Sequence, residues 1–139
     1  MTYATQADMT SRFDEKEIVE LTDRSNVGQL NVPVLANKLA DADAEINGYL
    51  QGRYTLPLSS VPEVLVRLAC DIARYHLYDN RVTESVRDRY KDAIAYLKLV
   101  AAGTVQLGVD AGGTTQAAAS GPEFDKPVRL FTLDTLAGF

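Results

Sequence analysis

Apolar residues recur at helical spacing through the first hundred residues of the chain. The clearest stripe has steps of 4, 3, 4 and 3 residues, which places its members on one face of a helix. They are Leu35, Leu39, Ala42, Ile46 and Tyr49. Asn31 is a good N-cap before this stripe, Pro33 lies in the first turn, and Gly52 supplies the stop. The pattern predicts a long helix between Asn31 and Gly52.

Two further stretches carry stripes of the same kind. The first consists of Leu65, Leu68, Ile72 and Tyr75, and the second of Val86, Tyr90, Ile94, Leu97 and Ala101. Ser60 and Glu63 have the spacing of a capping box at the start of the first stretch. Asn80 or Thr83 is the expected cap of the second, and Gly103 is its expected end. Both stretches are therefore predicted to be amphipathic helices.

The N-terminal region predicts two shorter helices. Thr5 and Asp8 have capping-box spacing, and a break is expected near Phe13 and Asp14. Three long amphipathic helices joined by short turns are typical of a small bundle. We therefore predict a mainly α fold, a small antiparallel helical bundle, over residues 1–102.

Residues 103–139 differ in composition from the bundle. They hold six of the nine glycines, and residues 110–122, DAGGTTQAAASGP, contain no large apolar side chain. A stretch of that composition buries too little surface to offset its ordering entropy. Alternating apolar residues at 105–109 and 128–132 predict short strands on either side of it. We expect a mobile Gly-rich loop followed by an extended C-terminal arm that contains short strands.

The apolar end of this arm needs a partner surface. An extended segment can add a strand to another protein, or it can fold back on its own bundle, and both alternatives are open at this point. The candidate interface residues in the arm are Arg129, Phe131, Leu133, Leu136 and Phe139.

The connection Arg53–Leu58, RYTLPL, is too apolar for a free loop. Pro57 restricts Leu56 to extended conformations, so we predict an ordered and packed turn. Arg53 and Tyr54 are candidates for contact with an adjacent subunit, and packing within the chain is the equal alternative.

Length and composition describe one ordinary globular domain. The chain has 139 residues, of which 46% are hydrophobic and 24% charged. The sequence contains no run of 18 apolar residues, so we predict no transmembrane helix. The polar N-terminus does not resemble a signal peptide. The net charge of −5 opposes general phosphate binding.

Candidate catalytic and metal-binding groups are few. Cys70 and His76 are the only residues of their types, and six helical positions separate them onto different faces. We expect Cys70 to be a small buried residue and His76 to have a structural role. Asp41, Asp43 and Glu45 resemble the start of a calcium loop, but the glycine and glutamate required later are absent. We predict a solvated helix face there, and no catalytic, cofactor-binding or metal-binding residues.

A nucleic-acid interface would need basic residues concentrated on one face. Five basic residues lie on or near the predicted last helix, namely Arg81, Arg87, Arg89, Lys91 and Lys98. Carboxylates interleave with them at Asp79, Glu84, Asp88 and Asp92, so the local charge nearly cancels. A nucleic-acid-binding regulator, or a small packaging subunit on a three-helix core, is kept as the alternative function.

Several sequence runs match a known family. They are YATQADM at 3–9, EIVELTDR at 17–24, ADADAEINGYLQGRYTLPL at 40–58, VP at 61–62, ACDIARY at 69–75, RYKDAI at 89–94, AAG at 101–103 and LAGF at 136–139. In these runs the chain resembles the Mu-like phage and prophage head–tail connector family. The run from Glu45 to Leu58 is the most specific part, and Asn47 departs from the Asp expected in the family.

The resemblance implies a structural protein without catalysis. Such adaptors form a ring below the portal protein, bridge it to stopper or tail proteins, and close the head after DNA packaging. Neighbouring copies are expected to match the twelve-fold symmetry of the portal, with DNA passing nearby without specific binding. The expected location is the virion head–tail junction, and the host cytoplasm during assembly, with no membrane partner.

Overall fold

The computed structural model describes residues 1–109, which fold into five α-helices and one short 3-10 helix. The helices are α1 (Gln6–Arg12), α2 (Glu15–Thr22), α3 (Val32–Leu50), α4 (Glu63–Tyr78) and α5 (Glu84–Ala102), with the 3-10 helix at Asp79–Arg81 between the last two. The mainly α prediction is confirmed for this part of the chain. The strand predicted at 128–132 lies outside the described residues.

Local capping sets the start of the first three helices. Thr5 and Asp8 form the predicted capping box of α1, and Phe13 ends that helix in an extended conformation. Asp14 then caps α2 through a hydrogen bond from the amide of Lys16. The predicted break between two short helices is thus confirmed, and it needs only neighbouring residues to form.

The loop between α2 and α3 is held by a buried threonine. The Thr22 hydroxyl donates to the carbonyl of Ile18 at 2.8 Å and accepts from the amide of Asn31 at 3.2 Å. Asn31 in turn caps α3 by accepting from the amide of Val34, as predicted. The start of α3 is therefore fixed by both a local cap and a contact from α2.

The three long helices enclose the core, and α1 and α2 cover one side. Tyr75 of α4 stacks on Tyr90 of α5 with ring centroids 3.9 Å apart. Leu68 of α4 lies beside Ala93 and Tyr96 farther along α5, so these two helices run in opposite directions. The fully buried side chains include Met9, Ile18, Leu35, Ile46, Leu50, Leu65, Ile72 and Leu97. Most predicted stripe positions thus face one shared core.

An ion pair joins the N-terminal helices to α4. Arg74 donates from Nε to Glu17 Oε1 at 2.8 Å, and its guanidinium lies 4.5 Å from the centre of the Phe13 ring. Both side chains of the pair are mostly buried, so salt screens the contact less than it screens an exposed pair. Arg74 therefore fixes α2 against the bundle.

The predicted capping box at Ser60 and Glu63 is wrong. Helix α4 begins at Glu63, its N-cap is Pro62, and no side chain caps it. Ser60 lies two residues before the N-cap position, and Glu63 instead forms an ion pair with Arg12 of α1. Thr83 does occupy the N-cap of α5, but its hydroxyl contacts Ser85 Oγ at 3.3 Å rather than a backbone amide.

The strand predicted at 105–109 is also wrong, because these residues form bends and irregular backbone. The amides of Thr104 and Val105 donate back to the carbonyl of Leu99, which continues the last turn of α5. Gly108 then takes a positive φ of 71°. No strand occurs within residues 1–109, so the alternation of Val105, Leu107 and Val109 has no ladder to join.

Candidate functional site

The turn that contains the predicted interface residues Arg53 and Tyr54 follows directly from the end of α3. The amides of both residues donate to the carbonyl of Leu50 at 2.9 Å. Tyr54 and Leu58 are buried, and the Leu56–Pro57 peptide bond is cis. The prediction of an ordered, packed turn is confirmed.

Tyr54 binds the residues that follow α5. Its hydroxyl accepts a 3.1 Å hydrogen bond from the amide of Leu107, and both residues are buried. We call residues 104–109 the arm root, because the C-terminal segment continues from them. Tyr54 therefore packs within its own chain, which is one of the two alternatives predicted for this residue.

Arg53 lies over the end of α5. Gly103 ends this helix with a φ of 82°, and a Cβ built there would lie 2.6 Å from Cζ of Arg53. A guanidinium at a helix C-terminus interacts favourably with the last carbonyl groups. Arg53 is otherwise exposed, so it marks the surface at the arm root, and its contact with another subunit stays a prediction.

The remaining predicted interface residues all lie outside the described part of the chain. They are Arg129, Phe131, Leu133, Leu136 and Phe139. The structure thus brings Arg53 and Tyr54 together with the arm root, while an interface role for the arm itself stays a prediction.

A polar cluster that the sequence did not predict joins all three long helices. Glu45 of α3 accepts from the Tyr90 hydroxyl at 2.7 Å through Oε1, and its Oε2 lies 3.1 Å from His76 Nε2. Burial, and next the hydrogen bond to Glu45, raise the pKa of Tyr90 above its usual value. The apolar pattern predicted Tyr90 only as a stripe residue, and no spacing rule links it to Glu45.

The three acidic residues of the calcium-like run have three different environments. Glu45 is half-buried in the polar cluster, so the solvated interpretation is wrong for it. Asp41 is exposed and pairs with Lys38 at 3.5 Å, as expected of a solvated face. Asp43 is buried and accepts from the amide of Tyr3 at 2.9 Å, so the solvated interpretation is wrong for it. Burial raises the pKa of Asp43, against the opposing effects of that amide and the N-terminal ammonium.

Cys70 is buried, as predicted. Burial raises the pKa of its thiol to about 12. Such a thiol is protonated at neutral pH and is therefore unreactive as a nucleophile.

The N-terminal residues lie along α3 and leave a groove beside it. Tyr3 is anchored twice, by its amide on Asp43 and by its hydroxyl on Asn47. Asn47, the position where the family is expected to have Asp, therefore accepts the hydrogen bond from the Tyr3 hydroxyl. The groove has a volume of about 270 Å³, and we call it the α3 groove. Its lining is Thr2, Ala4, Thr5, Gln6, Val32, Leu35, Ala36, Leu39, Ala40 and Asp43.

Residues 1–109 also bear on two other kinds of site, a metal centre and a membrane span. No group of three or more His, Cys, Asp or Glu side chains in this region is placed to hold a metal ion. Among the same residues, none of the helices is both long and apolar enough to cross a bilayer.

Comparison with known proteins gives consistent matches. Residues 3–126 match the sequence model of a family described as Bacteriophage Mu, Gp36. The chain is 34% identical over 137 residues to the Mu-like prophage FluMu protein gp36 of Haemophilus influenzae, covering 99% of this chain and 97% of that protein. It is 36% identical over 111 residues to gene product J of Escherichia phage Mu, covering 79% of each. The chain therefore belongs to the Bacteriophage Mu Gp36 family.

Proposed function

We propose that this protein is a structural head–tail connector, an adaptor that forms a ring between the portal and the tail components of a Mu-like phage. In this role it closes the head after DNA packaging. It acts in the host cytoplasm during assembly and remains at the head–tail junction of the virion. It has no catalytic step and no cofactor.

One relationship carries this proposal. The part of the sequence that most specifically resembles the connector family, Glu45–Leu58, forms the end of α3 and the packed turn after it. That turn holds the arm root through Tyr54, and Arg53 lies exposed beside it. The most specific segment of the family resemblance therefore also holds the arm root, from which the C-terminal segment continues.

A ring requires heterologous contacts, in which one surface of a copy meets a different surface of the next. A segment that leaves the bundle at a fixed point and reaches a neighbour supplies such a contact. We propose neighbouring copies in a twelve-fold ring, the portal protein, and the stopper or tail proteins as the partners.

The charge of the chain supports a role beside DNA without specific binding. The basic residues of α5 alternate with carboxylates on exposed positions, including Arg87 with Asp88 and Lys91 with Asp92. Arg89 is directed toward Asp71 of α4 at 3.9 Å. A surface of mixed sign neutralises few phosphates, and phosphate neutralisation supplies most nucleic-acid affinity.

Electron microscopy of the purified protein mixed with its portal tests the proposal. We expect rings of this protein stacked on portal rings, and particles that lack the protein should fail to accept tails. Arg53→Ala should reduce ring formation and particle yield, since it removes the exposed side chain at the arm root. Normal ring formation and normal particle yield for this variant would contradict a role for Arg53 in the interface.

The salt dependence of binding distinguishes the connector from the alternative, a nucleic-acid-binding regulator or packaging subunit. Phosphate contacts make affinity fall steeply with salt, by a slope of about 0.9 per phosphate on logarithmic axes. The connector proposal expects weak DNA binding at low salt and portal binding that persists at 200 mM salt. Tight DNA binding with a steep slope, and no portal complex, would favour the alternative.

A further inference from the structure

One face of α4 lies beneath the two N-terminal helices. Glu63 at the start of this face forms an ion pair with Arg12 of α1, and Arg74 near its end donates to Glu17 of α2. Cys70 comes seven residues after Glu63 and four before Arg74, so it lies on the same face between the two pairs. Burial raises the pKa of the Cys70 thiol and the nearby Arg12 guanidinium opposes that effect, which places α1 close to the sulfur. The N-terminal helices therefore cover Cys70.

Residues 1–22, which we call the flap, contribute a minor part of the core. Among the twelve largest fully buried side chains of residues 1–109, only Met9, Ile18 and Thr22 belong to the flap. The other nine lie in α3, α4 and α5, which pack on one another. Helix α1 has seven residues and α2 has eight, and helices shorter than about 12 residues are marginal in water on their own. The flap thus depends on the bundle, whereas the bundle has a core of its own.

The loop between α2 and α3 provides a hinge for the flap. Residues 24–29 are all exposed, and two of them have a positive φ, 56° at Asn26 and 76° at Gly28. A backbone with few buried contacts changes conformation at little expense to the rest of the fold. The flap is therefore free to pivot about this loop without a rearrangement of α3.

Polar contacts hold the flap closed, alongside its few buried side chains. Glu17 accepts from Arg74 Nε at 2.8 Å and from the Tyr78 hydroxyl. The amide of Tyr3 donates to Asp43 of α3 at 2.9 Å. Charges that separate when such contacts break return to water, and their hydration offsets part of the attraction that is lost. Closure of this kind favours an opening that stops short of global unfolding.

We propose that the flap opens as one unit while α3, α4 and α5 stay packed, and that each opening uncovers the Cys70 face of α4. Leu77 follows Arg74 by three residues on this face and is buried as well. An open flap therefore presents an apolar strip of α4 to solvent. Opening of part of a protein requires less free energy than global unfolding. The flap is a conformational device of the bundle that does not depend on the connector function.

Cys70 itself measures the opening, because it is the only cysteine of the chain. Its reaction with a chromogenic disulfide is followed in urea below the unfolding transition, at reagent concentrations to which the rate is proportional. The free energy of exposure falls with urea in proportion to the surface exposed. The flap is about a fifth of residues 1–109, so the slope for Cys70 should be less than about half of the slope for global unfolding measured by circular dichroism.

Three variants separate the flap from the bundle. Glu17→Gln should speed the reaction of Cys70 by about ten-fold or more, because it weakens charged hydrogen bonds that close the flap. Glu20→Gln is the matched control and should leave the rate unchanged, since Glu20 is exposed on the same helix and forms no ion pair or hydrogen bond within residues 1–109. Tyr90→Phe should lower global stability without changing the rate, because the closed and open states share the bundle.

Hydrogen exchange locates the opening along the chain. The amides of Met9 and Ile18 should exchange with the free energy measured at Cys70. Those of Ile46 and Leu97, in α3 and α5, should exchange only with the larger free energy of global unfolding.

Three results would overturn the inference. The first is a urea slope for Cys70 equal to that of global unfolding, with Tyr90→Phe speeding the reaction as much as it raises the unfolded fraction. The second is an equal rate for Glu17→Gln and Glu20→Gln. The third is equal protection of the amides of Met9 and Ile46, which would show that the flap opens only when the bundle does.

Discussion

The hydroxyl of Tyr90 on α5 donates a 2.7 Å hydrogen bond to the Glu45 carboxylate on α3, while its ring stacks on Tyr75 of α4. One side chain thus contacts both other long helices, through a polar bond on one side and a ring contact on the other. His76 lies against the second oxygen of the same carboxylate.

Tyr90→Phe should remove the hydrogen bond and keep the ring stack. A hydrogen bond to a charged group contributes about 1.5–3 kcal/mol, and partial exposure of Glu45 places the expected loss at the lower end. Urea unfolding followed by circular dichroism measures it. Tyr96→Phe on the same helix is the control, since no hydrogen bond of its hydroxyl is found within residues 1–109. Equal stability of the two variants would contradict a stabilising role for the bond to Glu45.

Two glycines should respond to alanine with opposite signs. Gly103→Ala places a side chain at φ 82° and against the Arg53 guanidinium, so a loss of about 1–2 kcal/mol is expected from the backbone alone. Gly48→Ala lies inside α3 with open space around it, and it should stabilise the protein by about 0.5–1 kcal/mol. Thermal unfolding of both variants checks the signs.

A double-mutant cycle separates the two causes at Gly103. In an Arg53→Ala background the side-chain clash is removed and only the backbone strain remains. Gly103→Ala should therefore cost less there than in the natural chain. An unchanged cost would mean that the long arginine side chain moves aside freely.

Cys70 should resist thiol reagents in the folded protein. With a thiol pKa of about 12, the thiol is almost entirely protonated at pH 8, and the side chain is also fully buried. Reaction with a chromogenic disulfide should be slow in buffer and rapid in denaturant. Fast modification of the native protein would contradict the inward orientation of this face of α4.

Asp43 should make stability depend on pH in a defined direction. Its pKa is raised in the folded state, so the folded protein binds a proton more readily than the unfolded chain. Its contribution is therefore most favourable below the unfolded pKa of about 3.8 and is lost as pH rises through the folded value. Asp43→Asn keeps an acceptor for Tyr3 and removes the charge.

The Asp43→Asn variant should gain stability relative to the natural chain at pH 7, and the gain should vanish toward pH 3.5. Asp41→Asn is the matched control, because Asp41 is exposed on the same helix. Melting temperatures across this range measure both differences. A loss of stability for Asp43→Asn at pH 7 would show that the charged form is needed to hold Tyr3.

The elements that the sequence predicted correctly depend on neighbours along the chain. Thr5 with Asp8, Asn31 at the start of α3 and Gly103 at the end of α5 each act within one helical turn. Local chemistry of this kind is readable without a fold. The stripe residues of α3 and α4 were predictable for the same reason, since their period alone identifies the buried face.

The errors arise where a distant residue decides the outcome. Leu107 does not enter a strand, because its amide is bound by Tyr54. Asp43 is not solvated, because Tyr3 covers it. Glu63 forms an ion pair with Arg12 of α1 and does not take part in a capping box at the start of α4. None of these contacts has a sequence spacing that a local rule recognises, so the polar cluster and the α3 groove required the structure.

The bond between Tyr54 and Leu107 also bears on the order of synthesis and folding. It joins residues 53 positions apart and closes a loop that contains both α4 and α5. The chain is made from its N-terminus, and loop closure over that separation waits until both ends are available. The turn at Tyr54 is therefore translated long before its partner and gains it only when α5 has docked. A nascent or partly folded chain lacks the bond that holds residues 104–109, so only a completed bundle has a fixed arm root.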